Sequence, residues 1–229
     1  ITDLKKSQQV QEDLFEAVNE VPIIINLWDE NDQLIFANNY SKSFNSKYGI
    51  YIDEGIKVED LWSQILDKEK SRPKIISNNQ KLPNLDFDDE RKIIKEFKQF
   101  RDELKDKVQF ERYMENITLL VTEKRLSRGG ILSTQTDISE LKEQQKYGEI
   151  LKEALDQVPN PIVLFDQSDN LYFANKNWIN LFKKDGFVPY IGIHFSELSQ
   201  RLTRLGFAEK PFNSFDQFDR YFKRKKGRK

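Results

Sequence analysis

The chain has 229 residues, of which 38% are hydrophobic and 33% charged, with a net charge of −1. That is enough apolar material for one large or two small domains, and it leaves no whole-chain field to steer the protein toward nucleic acid or anionic lipid. There is no cysteine, which excludes disulfides, thiolate nucleophiles, cysteine-ligated zinc and iron–sulfur clusters and fits a reducing compartment. No apolar run approaches the ~18 residues that a membrane span needs. The sequence opens on Ile1 with no signal-peptide pattern, so we expect an excerpt of a longer protein.

Residues 2 to 20 read as a helix, with Leu4, Val10, Leu14, Ala17 and Val21 in one apolar stripe. Two uses of that stripe stay open: packing on its own domain, or pairing with a second copy of the helix. Val21-Pro22 stops it. Residues 23–28, Ile-Ile-Ile-Asn-Leu-Trp, are rich in β-branched and aromatic side chains and read as a strand. Asp29 to Asp32 supplies turn chemistry, and residues 33–37 return as the second strand of a hairpin. Asn38 then precedes a short helix as its N-cap candidate, a structural role preferred to ligand contact.

Tyr48-Gly49 ends that helix, and residues 58–66 form another short amphipathic one. Residues 71–88 are polar, contain Pro73 and Pro83, and read as a surface loop. A helix over 89–104 carries Ile93, Ile94, Phe97, Phe100 and Leu104 on its apolar side. Three strands follow, over 108–114, 117–126 and 131–136, turned at Glu115-Asn116 and at Gly129-Gly130; they form an antiparallel meander. Asp137, with Glu140 three residues on, is a capping-box pattern that opens a helix running to about 157. Ile138, Leu141, Gln145, Gly148, Leu151, Leu155 and Val158 fall on a seam with one skipped step near Gly148. The seam is similar to a short coiled coil with a register fault, or it packs within its own chain.

The front of the chain occurs twice. Residues 26–38, Asn-Leu-Trp-Asp-Glu-Asn-Asp-Gln-Leu-Ile-Phe-Ala-Asn, recur without a gap at 163–175, an offset of 137. Leu14, Glu16, Ala17, Val21 and Pro22 recur as Leu151, Glu153, Ala154, Val158 and Pro159, and Asn175 repeats Asn38 as a cap candidate. A period this long means two tandem domains rather than a solenoid. The boundaries expected are a helix at 1–20, a first domain at 21–138, a linker helix at 139–157 and the front half of a second domain at 158–229. The second copy reaches the end of the sequence before any meander, and two strands cannot cover their own apolar face. We therefore expect it to be truncated here.

A Leu-Trp-Asp…Leu-Ile-Phe-Ala-Asn opening (27–38), a Gly129-Gly130 turn and a Thr136-Asp137-Ile138-Ser139 close resemble the PAS domain family, in the variant common in bacterial sensor kinases. Serine stands where that close usually has threonine, and Glu115-Asn116 where an Asp-Gly turn is usual. The resemblance covers residues 14 to 143 and the front of a second copy from 151. It implies an α+β PAS fold: a five-stranded antiparallel sheet flanked by helices, preceded and followed by amphipathic helices. It further implies a cytoplasmic sensory and dimerisation region of a two-component or cyclase signalling protein, with a homodimer through the N-terminal and linker helices. A signal would pass through Asp137, Ile138, Ser139, Glu140, Gly148 and Leu151 to an output domain.

The residues show no catalytic constellation, no phosphate loop and no metal cluster. A PAS core can hold a small molecule between sheet and helices. The candidate lining is Phe36, Tyr40, Phe44, Trp62, Ile65, Phe97, Phe100 and Phe110, all equally explained as filled core. The cofactor stays unknown. Haem is disfavoured because the one histidine, His194, falls on an expected helix of the incomplete copy, and the cysteinyl-flavin chemistry of the light-sensing branch needs a cysteine. The basic tail 223–229 reads as a solvated end rather than a nucleic-acid contact. A ligand-free interaction module and a haem-based gas sensor are the rival readings.

Overall fold

The computed structural model describes residues 2–68, 74–76, 90–183, 186–206 and 209–226. It divides into two units, Ile1–Glu143 and Gln144–Lys229.

In the first unit, helix α1 (Thr2–Glu20) leads into strands β1 (Ile24–Trp28) and β2 (Leu34–Ala37). The acidic turn between them is built by Asp29, whose Oδ1 accepts from the amides of Asn31 and Gln33 at 2.8 Å each. Asp32 takes the left-handed conformation at φ 58°, which a short polar side chain tolerates best after glycine. Helices α2 (Asn39–Ser46) and α3 (Val58–Asp67), strand β3 (Lys74–Ile76) and helix α4 (Glu90–Glu103) follow. The meander is β4 (Lys107–Met114), β5 (Ile117–Arg125) and β6 (Ile131–Asp137). Its first turn needs Glu115 at φ 45°, a position that an Asp-Gly turn would fill with less strain.

The sheet runs β2-β1-β6-β5-β4-β3, antiparallel at every pairing. The expected five-stranded sheet is thus present and is extended by a short sixth strand. That strand lies inside the segment read as a loop over 71–88. Its three residues pair with Glu111, Arg112 and Tyr113 of β4, a non-local pairing that local composition does not encode. The rest of that segment lies outside the described residues. Gly130 lets β6 close on β1, since a Cβ there would meet the Trp28 carbonyl oxygen at 2.4 Å.

One face of the sheet is covered by the helices. Ile24, Trp28, Leu61, Trp62, Ile65, Ile93, Phe97, Phe110, Val121 and Ile131 make a single core. Arg125 binds the end of α4 to β5: its Nε donates to the Leu104 carbonyl at 3.1 Å and its Nη2 to that of Arg101. The apolar side of α1 is left open, with Leu14 60% and Phe15 59% exposed.

In the second unit, β7 (Val163–Phe165) and β8 (Leu171–Ala174) form a two-stranded sheet with helices α6 (Lys176–Lys183), α7 (Phe195–Arg204) and α8 (Phe215–Lys226). Its hydrogen bonds repeat those of the first unit at the 137-residue offset. Asp166 Oδ1 accepts from Ser168 and Asn170 as Asp29 does from its own turn, and Asp169 sits at φ 59°. The bridge Gln33–Lys57 recurs as Asn170–His194. Its core gathers Leu171, Trp178, Phe182, Phe187, Ile193 and Leu198. Helix α5 (Ser139–Gln157) carries residues of both units and has no buried residue; Leu141, Tyr147, Ile150 and Leu151 on it are all more than half exposed.

A candidate polar cavity under the sheet

Strand alternation sets the site. On β1, β4, β5 and β6 the residues facing α3 and α4 include not only the apolar set but also Asn26, Arg112, Glu123 and Ser133. The register lines Asn26, Ser133 and Glu123 across three strands. Together with Trp28, Trp62, Ile65, Phe97, Arg101, Phe110 and Gln135 they line a cavity of about 40 Å³.

Of the eight candidates for the lining, Trp62, Ile65, Phe97 and Phe110 are at the cavity. Phe44 and Phe100 are ordinary core and Tyr40 packs against its edge. Phe36 corrects the expectation: it lies on the opposite face of the sheet, its ring 5.3 Å from that of Phe15 in α1.

The polar lining has two parts. Arg101, 1% exposed, donates from Nε to Asp32 Oδ1 at 2.9 Å and from Nη1 to both Glu123 oxygens at 3.1 Å. Its guanidinium carbon stands 5.1 Å from the centre of the Trp28 ring, a cation–π distance. Burial pushes the Glu123 carboxyl above its usual value, against the pull of Arg101. Arg112, 7% exposed, is different. Its Nε has no partner, no carboxylate pairs with it among the described residues, and burial holds it down to about 10. Trp28 Nε1 and Gln135 Oε1 are likewise buried without partners. None of this polar set was singled out from sequence. The available signal was charge on inward positions of otherwise alternating strands, at Arg112 and Glu123.

The two asparagine caps do more than cap. Asn38 Oδ1 accepts from Ser41 N at 3.0 Å and Ile25 N at 3.1 Å, while its Nδ2 donates to the Val18 and Ile23 carbonyls. Asn175 repeats the arrangement with Trp178, Ile162, Leu155 and Asn160.

At the far end of the meander, the relay residues are joined to the sheet. Ser139 Oγ accepts from Thr118 N at 2.9 Å and donates to Asp137 Oδ1 at 2.6 Å. The helix starts one residue later than the capping box expected of Asp137 and Glu140 requires. Asp137 ends β6, and its carboxylate accepts from Ser139 N only two residues on. The first helical bond, Lys142 N to Ile138 O, puts Ile138 at the cap position, so Glu140 sits one residue too early to reach back. Lys142 of α5 meets Glu111 of β4 at 2.5 Å, and this bond together with one from Tyr113 lowers the Glu111 carboxyl below its usual range. Gly148 and Leu151 lie further along α5, exposed. His194 precedes α7 rather than lying within it, exposed, with Nδ1 accepting from Ser196 N. No metal-ligating cluster and no helix long and apolar enough to cross a membrane occur among the described residues.

The strand order β2-β1-β6-β5-β4 with helices on one face gives the first unit a PAS fold. No protein-family model matches the chain, and no curated protein matches it. Solved structures are similar to it. They include the PAS domain of an HTR-like protein from Haloarcula marismortui, at 12% identity and TM-score 0.34, covering 60% of this chain and 98% of that one. The PAS domain of Bordetella pertussis BvgS aligns at 15% identity and TM-score 0.35, covering 66% and 98%. The Escherichia coli DhaR(N)–DhaL complex aligns at 12% identity and TM-score 0.26, covering 89% and 72%.

Proposed function

We propose that this chain is the sensory and dimerisation region of a cytoplasmic bacterial signalling protein, a histidine kinase or nucleotide cyclase, with a second PAS copy from residue 158. The observation that carries this reading is on β4. Arg112 lines the cavity, and its neighbour Glu111 holds Lys142 in the first turn of α5. A strand cannot move one of two adjacent residues without the other. A change in the cavity would therefore shift β4 and, with it, the start of the outgoing helix, a two-state element of the kind that signalling modules use. The Thr118–Ser139 bond gives β5 the same hold.

The test is a proline in the exposed middle of α5. Leu151→Pro costs about 3 kcal/mol in a helix interior and touches no core of the first unit. In the full-length protein it is expected to abolish the response to the cue while the first unit melts unchanged. A response that persists would sink the relay.

A second reading is a ligand-free interaction module. The exposed apolar side chains of α1 and α5, Leu14, Phe15, Leu141 and Leu151 among them, favour it, because such stripes usually meet a partner helix. Native mass spectrometry separates the two. An added mass lost on denaturation supports sensing, whereas a clean dimer favours the interaction module. A haem-based sensor would show a Soret band on reconstitution.

A further inference from the structure

We propose that the uncovered face of the first unit's sheet is the docking surface for helix α1 of a second copy of this chain, with Lys107 and Lys124 receiving that helix's carboxylates. This deepens the dimerisation reading above and rests on it. Two surfaces of the first unit are left without cover. One is α1 itself. Every residue from Lys5 to Ala17 is exposed, and its ring contact with the sheet is that of Phe15 on Phe36, at the β2 edge. A helix of this length with nothing packed along it is marginal in water, and its Val10, Leu14 and Phe15 are 49%, 60% and 59% exposed. The other surface is the sheet face turned away from α3 and α4. The register sets Leu27, Leu132, Lys124 and Lys107 side by side across β1, β6, β5 and β4. Strand alternation points all four away from the core that their neighbours Trp28, Ile131, Glu123 and Val108 enter.

Charge decides what lies on that face. From Gln8 to Glu20, α1 carries Glu12, Asp13, Glu16 and Glu20 and no lysine or arginine. Two such helices laid side by side would gather carboxylates alone along their apolar stripe, and like charges across an interface are unfavourable. Lys107 and Lys124 stand directly opposite each other on neighbouring strands, which is unfavourable until an anion joins them. Neither lysine, and none of the four carboxylates, has an ion-pair partner among the described residues. An apolar stripe bordered by acid thus fits an apolar row that ends in two bases. Within one copy the two do not meet. The end of α1 is held at β2 by Asn38 and Asn39, β5 lies three strands further on, about 14 Å at the usual strand spacing, and the helix is bare over residues 5–17. At the other end of the same face Glu111 is already taken by Lys142 of α5, so the open part is the row from Leu27 to Lys107. A two-fold axis would make the contact twice, each α1 lying on the other copy's sheet.

The experiment mixes ¹⁴N- and ¹⁵N-labelled full chain in low-salt buffer, where surface charges are least screened, and treats it with a carbodiimide, which joins a carboxylate to a lysine only where the two touch. Mass spectrometry of the peptides is expected to find Glu12, Asp13 or Glu16 joined to Lys107 or Lys124 in mixed-isotope pairs. Sedimentation is expected to show a dimer that weakens at least tenfold in Lys124→Glu and recovers when Glu12→Lys or Glu16→Lys is added. These positions are exposed, and melting curves confirm that the variants fold. Joined pairs of a single isotope would place α1 on its own sheet. An unchanged dimer in Lys124→Glu, or a loss that neither reversal in α1 recovers, would place the contact elsewhere. Each of these results overturns the docking and leaves the dimerisation reading standing. A chain that stays monomeric at every concentration overturns both.

Discussion

Arg101→Met is expected to lower the stability of the first unit by about 3–5 kcal/mol, the usual cost of removing one partner from a buried charge cluster. Arg101 is the only cation that Asp32 and Glu123 share among the described residues, and its loss leaves two carboxylates facing a low-dielectric core. The loss is also expected to depend on pH in a definite direction. Glu123 has its pKa raised in the folded state by burial, so the native protein holds that proton more tightly than the unfolded chain does. Stability from such a group is complete below the ordinary carboxylate range and is lost as pH rises through the elevated value. Without Arg101 the opposing attraction is gone and the pKa rises further. Urea unfolding of wild type and variant at pH 5 and pH 7.5 is therefore expected to show the gap between them narrowing in acid. Glu123→Gln in the Arg101→Met background should recover part of the loss at pH 7.5. A gap that widens in acid, or no recovery, would mean that the cluster is not governed by Glu123.

Asn38→Ala is expected to cost about 3 kcal/mol, well beyond the ~1 kcal/mol of a simple N-cap. The side chain is 0% exposed and joins the end of α1, the start of β1 and the first turn of α2 through four hydrogen bonds. Alanine strands two amides and two carbonyls in a site that water does not reach. Asn175→Ala tests the same hub in the second unit, where Asn175 is equally buried. Hydrogen exchange at the Ile25 and Ser41 amides should accelerate in Asn38→Ala, and at Ile162 and Trp178 in Asn175→Ala. A loss confined to about 1 kcal/mol, with exchange faster only at Ser41 or Trp178, would reduce each residue to a helix cap.

These two sites differ in how far sequence exposes them. The bond from Asn38 to Ser41 spans three residues, and local spacing is enough to suggest it. The bonds to Val18 and Ile23 span twenty and fifteen residues, and nothing in the local pattern marks them. The Arg101 cluster is harder still, since its members come from a turn, a helix and a strand, with Arg101 69 residues from Asp32 and a further 22 from Glu123. A charged residue at an inward strand position looks like a solvent-facing one until the partner strand is known. The same reason explains Phe36, whose aromatic ring suits either face of β2.

Hydrophobic alternation, turn residues, the 137-residue repeat and the closing Thr136-Asp137-Ile138-Ser139 determined the elements and the sheet class by themselves, because each depends on spacings within a few residues or on direct self-similarity. Only the tertiary structure decided which polar groups share a cavity, that residues 74–76 extend the sheet, and that the outgoing helix is tied at Ser139 and Lys142 rather than by a capping box. Those outcomes rest on which strands lie side by side and on which charges burial brings within a few ångströms, quantities that chain proximity does not encode.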